Sequence, residues 1–123
     1  MIKFGYITLS VEQARLSELR DWYMDLVGLS VAWQSRTFCM LTGEGSGRLG
    51  LRAGIPFDHP ERVQIDFEVN DVDGVYEELA GEGEGFLREP QNTAWGYRTA
   101  ALQDPVGHVV EFYTPLEDDE EAA

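Results

Sequence analysis

The chain has 123 residues, 43% of them hydrophobic, which suffices for a packed core and suits one domain or two fused small units. Its formal net charge is −14 with a single lysine, Lys3, and this excludes partners that need a basic footprint, namely nucleic acid and anionic membranes. No apolar run approaches the ~20 residues of a membrane span, no basic and then apolar leader is visible, and one cysteine, Cys39, makes no internal disulfide, so a cytoplasmic protein is expected.

In chain order, Ile2 to Val11 alternates as a strand, with Ile7, Leu9 and Val11 on one face and Tyr6, Thr8 and Ser10 on the other. Ser10 and Gln13 can form a capping box for a first helix. Leu16, Leu19, Tyr23 and Leu26 are its apolar stripe, widened by Trp22, and Gly28 stands just past its end. Three short strands are predicted next, Leu29 to Gln34, Thr37 to Thr42 and Arg48 to Ala53. Cys39 lies in an apolar stretch and reads as core. The glycines of Gly43 to Gly47 lack the following helix and Lys-Ser/Thr of a phosphate cradle, so a hairpin loop is predicted.

Ile55 to Pro60 reads as a linker. Arg62 to Val69 is a strand whose apolar face is Val63, Ile65, Phe67 and Val69, with Gln64, Asp66 and Glu68 opposite. Asn70 is the expected cap of a second helix, striped by Val72, Val75, Tyr76 and Leu79 and ended by Gly81. Phe86 to Glu89 is a short strand. Ala94 to Pro115 then reads as two strands around the turn Asp104-Pro105-Val106-Gly107, with Asp, Pro and Gly where a tight turn favours them. In the last strand Val109, Glu111 and Tyr113 share a face, which puts one carboxylate mid-strand between an apolar and an aromatic neighbour.

The order strand, helix, three strands occurs twice. Tyr6 to Val11 can be laid over Gln64 to Val69, Asp25 to Gly28 over Glu78 to Gly81, and Gly50 to Arg52 over Glu111 to Tyr113. A repeat of this kind predicts an α+β fold of two βαβββ modules, 1–54 and 62–115, whose curved sheets surround a central cavity. They form a single domain over 1–115, and 116–123 is an acidic tail expected to be disordered. Positions 6, 50, 64 and 111 become equivalent in pairs and are expected near one another on the cavity floor.

The βαβββ repeat, the LVGL helix end (Leu26 to Leu29), the stretch QIDFEVNDVDGVYEEL (Gln64 to Leu79) and above all AWGYRTAALQDPVGHVVEF (Ala94 to Phe112) resemble the vicinal oxygen chelate superfamily. This is the glyoxalase, bleomycin-resistance and extradiol-dioxygenase group, and the similarity runs from Phe4 to about Pro115. In its metal-dependent members the resemblance implies a His, Gln and Glu set at the repeated strand positions, holding a divalent metal with open sites. Here those positions carry Tyr6, Gly50, Gln64 and Glu111. No cofactor is therefore expected, and a divalent metal on Tyr6, Gln64 and Glu111 is the alternative. His59, in the linker, and His108, facing away from Glu111, are read as ordinary residues.

Size, acidity and the segment Trp95-Gly96-Tyr97-Arg98 bring the chain nearest to the bleomycin-resistance type, which implies sequestration of a small molecule between two subunits without chemistry. The expected partners are a small-molecule ligand and a second copy in a homodimer. The expected ligand is aromatic or cationic. Its walls are Trp33, Phe38, Trp95, Tyr97 and Tyr113, and its polar anchors are Tyr6, Gln64 and Glu111. The alternative is a metal-dependent glyoxalase or dioxygenase with an altered ligand set. A buried Glu111 with a raised pKa could alternatively serve as a general base.

Overall fold

The computed structural model describes residues 1–117, so the acidic tail beyond Glu117 lies outside the described residues. The chain divides into two units, Met1–Pro60 and a second beginning at Glu61.

In the first unit, β1 (Ile7–Val11), β4 (Arg48–Ala53), β3 (Phe38–Thr42) and β2 (Ser30–Gln34) lie side by side in that order. β1 runs parallel to β4, and the other pairs are antiparallel. Leu9, Val11, Cys39, Leu41, Leu49 and Leu51 are buried on one sheet face, and helix α1 (Leu16–Trp22) adds buried Leu16 and Leu19. Burial raises the Cys39 thiol above its ordinary pKa, with Arg20 opposing, and leaves it inert. The helix is entered through a 3₁₀ turn at Gln13–Arg15. It leaves through a wider turn, Tyr23–Val27, that places Gly28 at φ 88°. Gly28 thus stops the helix as expected. The capping box does not form: Ser10 belongs to β1, and the chain enters the 3₁₀ turn at Glu12 without a side-chain cap. The parallel pairing carries the strand two residues further than a cap at Ser10 allows.

The second unit repeats the pattern. Its sheet order is β5 (Gln64–Glu68), β8 (Val109–Pro115), β7 (Tyr97–Gln103) and β6 (Phe86–Asn92). Val110, Phe112, Ala100 and Leu102 form the buried face with Val72 and Leu79 of α2 (Val72–Gly81). The cap of α2 is Asp71, whose carboxylate accepts from the Gly74 N–H at 3.1 Å, and not Asn70. The helix includes Gly81, and the left-handed residue that turns the chain is Gly83 at φ 96°. β6 extends past Glu89 to Asn92, through two irregularities in its pairing with β7.

The repeat is obeyed to the residue. Thr8 pairs with Gly50 in the first sheet, and Asp66 pairs with Glu111 in the second. The alignment of 6 with 64 and of 50 with 111 requires that correspondence. One row of each sheet can therefore be compared directly. It reads Trp33, Met40, Gly50, Thr8 across the first unit and Arg88, Ala101, Glu111, Asp66 across the second.

Candidate functional site

A cup of about 310 Å³ opens on the second unit, lined by Gln64, Asp66, Trp95, Tyr97, Glu111 and Tyr113. Period-two alternation puts Gln64 and Asp66 of β5 on the same face as Glu111 and Tyr113 of β8. The β7–β8 pairing sets Tyr97 two residues from Thr99, the partner of Tyr113, and the two tyrosine rings lie 5.0 Å apart. Trp95 sits in the tight link between β6 and β7, where Thr93 Oγ1 and the Thr93 N–H both bind the Tyr97 backbone and Gly96 takes φ 93°. The link holds Trp95 out at the rim, 72% exposed.

Glu111 is the buried member of the cup, 9% exposed. Gln64 Nε2 donates to Glu111 Oε2 at 2.5 Å and to Asp66 Oδ1 at 2.8 Å, so one amide ties both carboxylates together. Arg88 Nη2 reaches to 3.5 Å from Glu111 Oε2. Burial raises the Glu111 pKa above its ordinary value, Asp66 adds to the rise, and Arg88 and Gln64 oppose it. The Tyr113 hydroxyl donates to Glu68 Oε1 at 3.4 Å, and burial, with the carboxylate of Glu68, raises its pKa as well.

Five of the residues singled out in the sequence thus meet in one place: Gln64, Trp95, Tyr97, Glu111 and Tyr113. Asp66, which alternation had placed on the Gln64 face of its strand, and Arg88, which carried no local signal, complete the group. An acid on a strand face reads as solvated, and only the pairing of β5 with β8 puts Asp66 beside Glu111. Tyr6, Trp33 and Phe38 belong to the first unit, where they contact one another. Trp33 stacks on Phe38 at 5.2 Å and 23°, and Tyr6 meets Phe38 edge-on at 6.2 Å. The Phe38 ring occupies the space over Gly50, where an added Cβ would lie 2.8 Å from Phe38 Cζ.

The repeated strand positions do not supply the His, Gln and Glu set of the metal-dependent members. Gly50 supplies no donor, and a phenyl ring covers it. His108 is fully buried on the other face of β8, with Nδ1 2.7 Å from Asp104 Oδ2. Among the described residues no three His, Cys, Asp or Glu side chains gather closely enough to hold an ion.

The same fold occurs in other solved proteins. Solved structures that share it include a glyoxalase/bleomycin resistance protein/dioxygenase from Nocardioides, 20% identical, with a TM-score of 0.74 over 100% of this chain and 90% of that one. A lactoylglutathione lyase from Agrobacterium tumefaciens is 16% identical, with a TM-score of 0.74 over 93% of this chain and 94% of its own. A virulence protein from Salmonella typhimurium is 17% identical, with a TM-score of 0.75 over 94% and 98%. No curated protein matches the chain. The family model for the glyoxalase/bleomycin resistance protein/dioxygenase superfamily matches residues 3–112, nearly the whole repeat, and the chain belongs to that superfamily.

Proposed function

We propose that this chain is a small-molecule-binding protein of the bleomycin-resistance type, which captures an aromatic cation without a metal. The observation that carries the reading is the cup itself: two neighbouring carboxylates, Asp66 and Glu111, on a floor walled by Trp95, Tyr97 and Tyr113. Aromatic faces attract cations through their quadrupole, and a carboxylate partly shielded from water pairs with a cation more strongly than an exposed one. The superfamily also contains enzymes, so the reading rests on the residues of this cup and not on membership.

Calorimetric titration with benzamidine, its neutral isostere benzamide and the anion benzoate tests it. Benzamidine is expected to bind with one site per chain, to quench Trp95 fluorescence, and to weaken about tenfold in Glu111→Gln, the loss typical of one charge-assisted hydrogen bond. Equal binding of benzamide and benzoate would contradict the cation reading. Elemental analysis of protein purified without chelator or nickel resin checks the metal. A stoichiometric ion that is lost in Glu111→Gln would replace this reading with a metal-dependent activity.

A further inference from the structure

The row that forms the floor of the cup continues past it. β8 sets Glu111 opposite Asp66, β7 sets Ala101 opposite Glu111, and β6 sets Arg88 opposite Ala101. Ala101 is fully buried and ends at a methyl group, so a long side chain on β6 can pass over it. Arg88 does so and brings its guanidinium to Glu111. At 3.5 Å the contact is an ion pair too long for a hydrogen bond. The Arg88 side chain is 38% exposed, much as Arg98 is at 34%, but it lacks the bidentate fork that Arg98 makes on Asp73 at 2.8 Å for both bonds. A loosely held guanidinium therefore lies against the buried acid of the site.

The rest of the floor offers acceptors. Gln64 spends its Nε2 on Asp66 and Glu111, which leaves its Oε1 facing away from them. One amide nitrogen bonds both carboxylates, so Asp66 and Glu111 stand side by side, an arrangement that suits a flat cation with a fork of N–H groups. A quaternary ammonium has no N–H and would leave these acceptors unmet, and a primary ammonium is a point rather than a fork.

We propose that the ligand of the cup carries an amidinium or guanidinium group on a flat ring, and that Arg88 is its placeholder, the chain's own guanidinium, displaced from Glu111 as the ligand enters. The proposal rests on the reading of the cup as a cation site and adds the class of cation and an internal competitor. Both cations seek the same Glu111 oxygen and repel each other, so capture requires Arg88 to swing toward solvent, which its exposure permits.

The experiment is calorimetry on the full chain with benzamidine and with phenyltrimethylammonium, using wild type, Arg88→Met, Arg88→Gln and Arg62→Met. Arg62 is an exposed arginine outside the cup and controls for net charge. Both Arg88 variants are expected to bind benzamidine about three- to tenfold more tightly than wild type, the scale of a partly exposed ion pair. Arg62→Met is expected to stay within about twofold in ~0.15 M salt, where distant exposed charges are screened. Wild type is expected to prefer benzamidine to phenyltrimethylammonium by about tenfold. Unchanged or weaker benzamidine binding in the Arg88 variants would overturn the placeholder and leave the cation site standing. Equal tightening in Arg62→Met would assign the effect to net charge and also overturn it. Equal binding of the two cations would overturn the amidinium class. If none of the four proteins binds either cation, the cation site itself fails and the placeholder with it; binding of phenyltrimethylammonium alone would overturn the amidinium class and the placeholder.

Discussion

Glu111 sits in the second sheet at a cost that can be read from pH. Its folded pKa is raised by burial first and by Asp66 second. A carboxyl that keeps its proton longer when folded gives the native state more bound protons than the unfolded chain between the two pKa values. Stability from this group is therefore full below the ordinary value of 4.5 and falls as pH rises through the raised one. Glu111→Gln removes the penalty and keeps the shape. Thermal unfolding followed by circular dichroism is expected to show the variant more stable than wild type at neutral pH, with the gap closing as pH drops below 4.5. A gap that widens in acid would contradict the burial argument. Glu111 was legible in the sequence because alternation put a charge where the strand wanted an apolar residue. The contacts of Asp66 and Arg88 with Glu111 were not, because each arises only through strands that pair over long separations, and in β6 two irregularities break the count from Phe86 to Arg88 and beyond.

At the scale of elements, the β7–β8 turn is held by one side chain. Asp104 Oδ1 accepts from the N–H groups of Val106, Gly107 and His108 at 2.9 to 3.1 Å, while Oδ2 meets the His108 ring. Both side chains are buried, so removing the carboxylate leaves donors without water to replace it. Asp104→Ala is expected to lose about 3 to 5 kcal/mol in urea unfolding, the usual cost of stripping one partner from a buried charged network. Asp104→Asn keeps an acceptor for the turn and is expected to recover part of that loss. Equal losses in the two variants would show that the turn depends on charge rather than on acceptor geometry. The turn was readable from Asp-Pro-Val-Gly alone, because local chemistry decides it. Helix starts were less so: Asn70 and Asp71 are both able caps, and the choice falls to the residue from which a side chain reaches the Gly74 N–H.

Across the whole molecule, the two units share a backbone and differ in what fills the shared row. The sequence repeat disclosed the two-module fold and the equivalence of the two halves, while the pairing of Thr8 with Gly50 and of Asp66 with Glu111 came from the structure. It did not disclose that Phe38 lies over Gly50, since ring placement depends on Trp33 and Tyr6 around it. Packing there is close, with Phe38 Cζ 2.8 Å and Thr8 Oγ1 3.1 Å from a Cβ added at Gly50. Gly50→Ala is expected to destabilise by about 1 to 3 kcal/mol, the range of overpacked cores, and Phe38→Leu in the same chain to return most of it. Additive losses in the double variant, measured by the same unfolding assay, would mean that the ring does not govern the site.

The equal register makes the acidic row portable. Aspartate at 8 and glutamate at 50, with threonine at 38, the residue that Thr99 supplies at the matching place, would put the two carboxylates of one unit at the same register in the other. Doubling a scaffold in this way lets one register carry two contents: an acidic row in one half, a cluster of aromatic rings in the other.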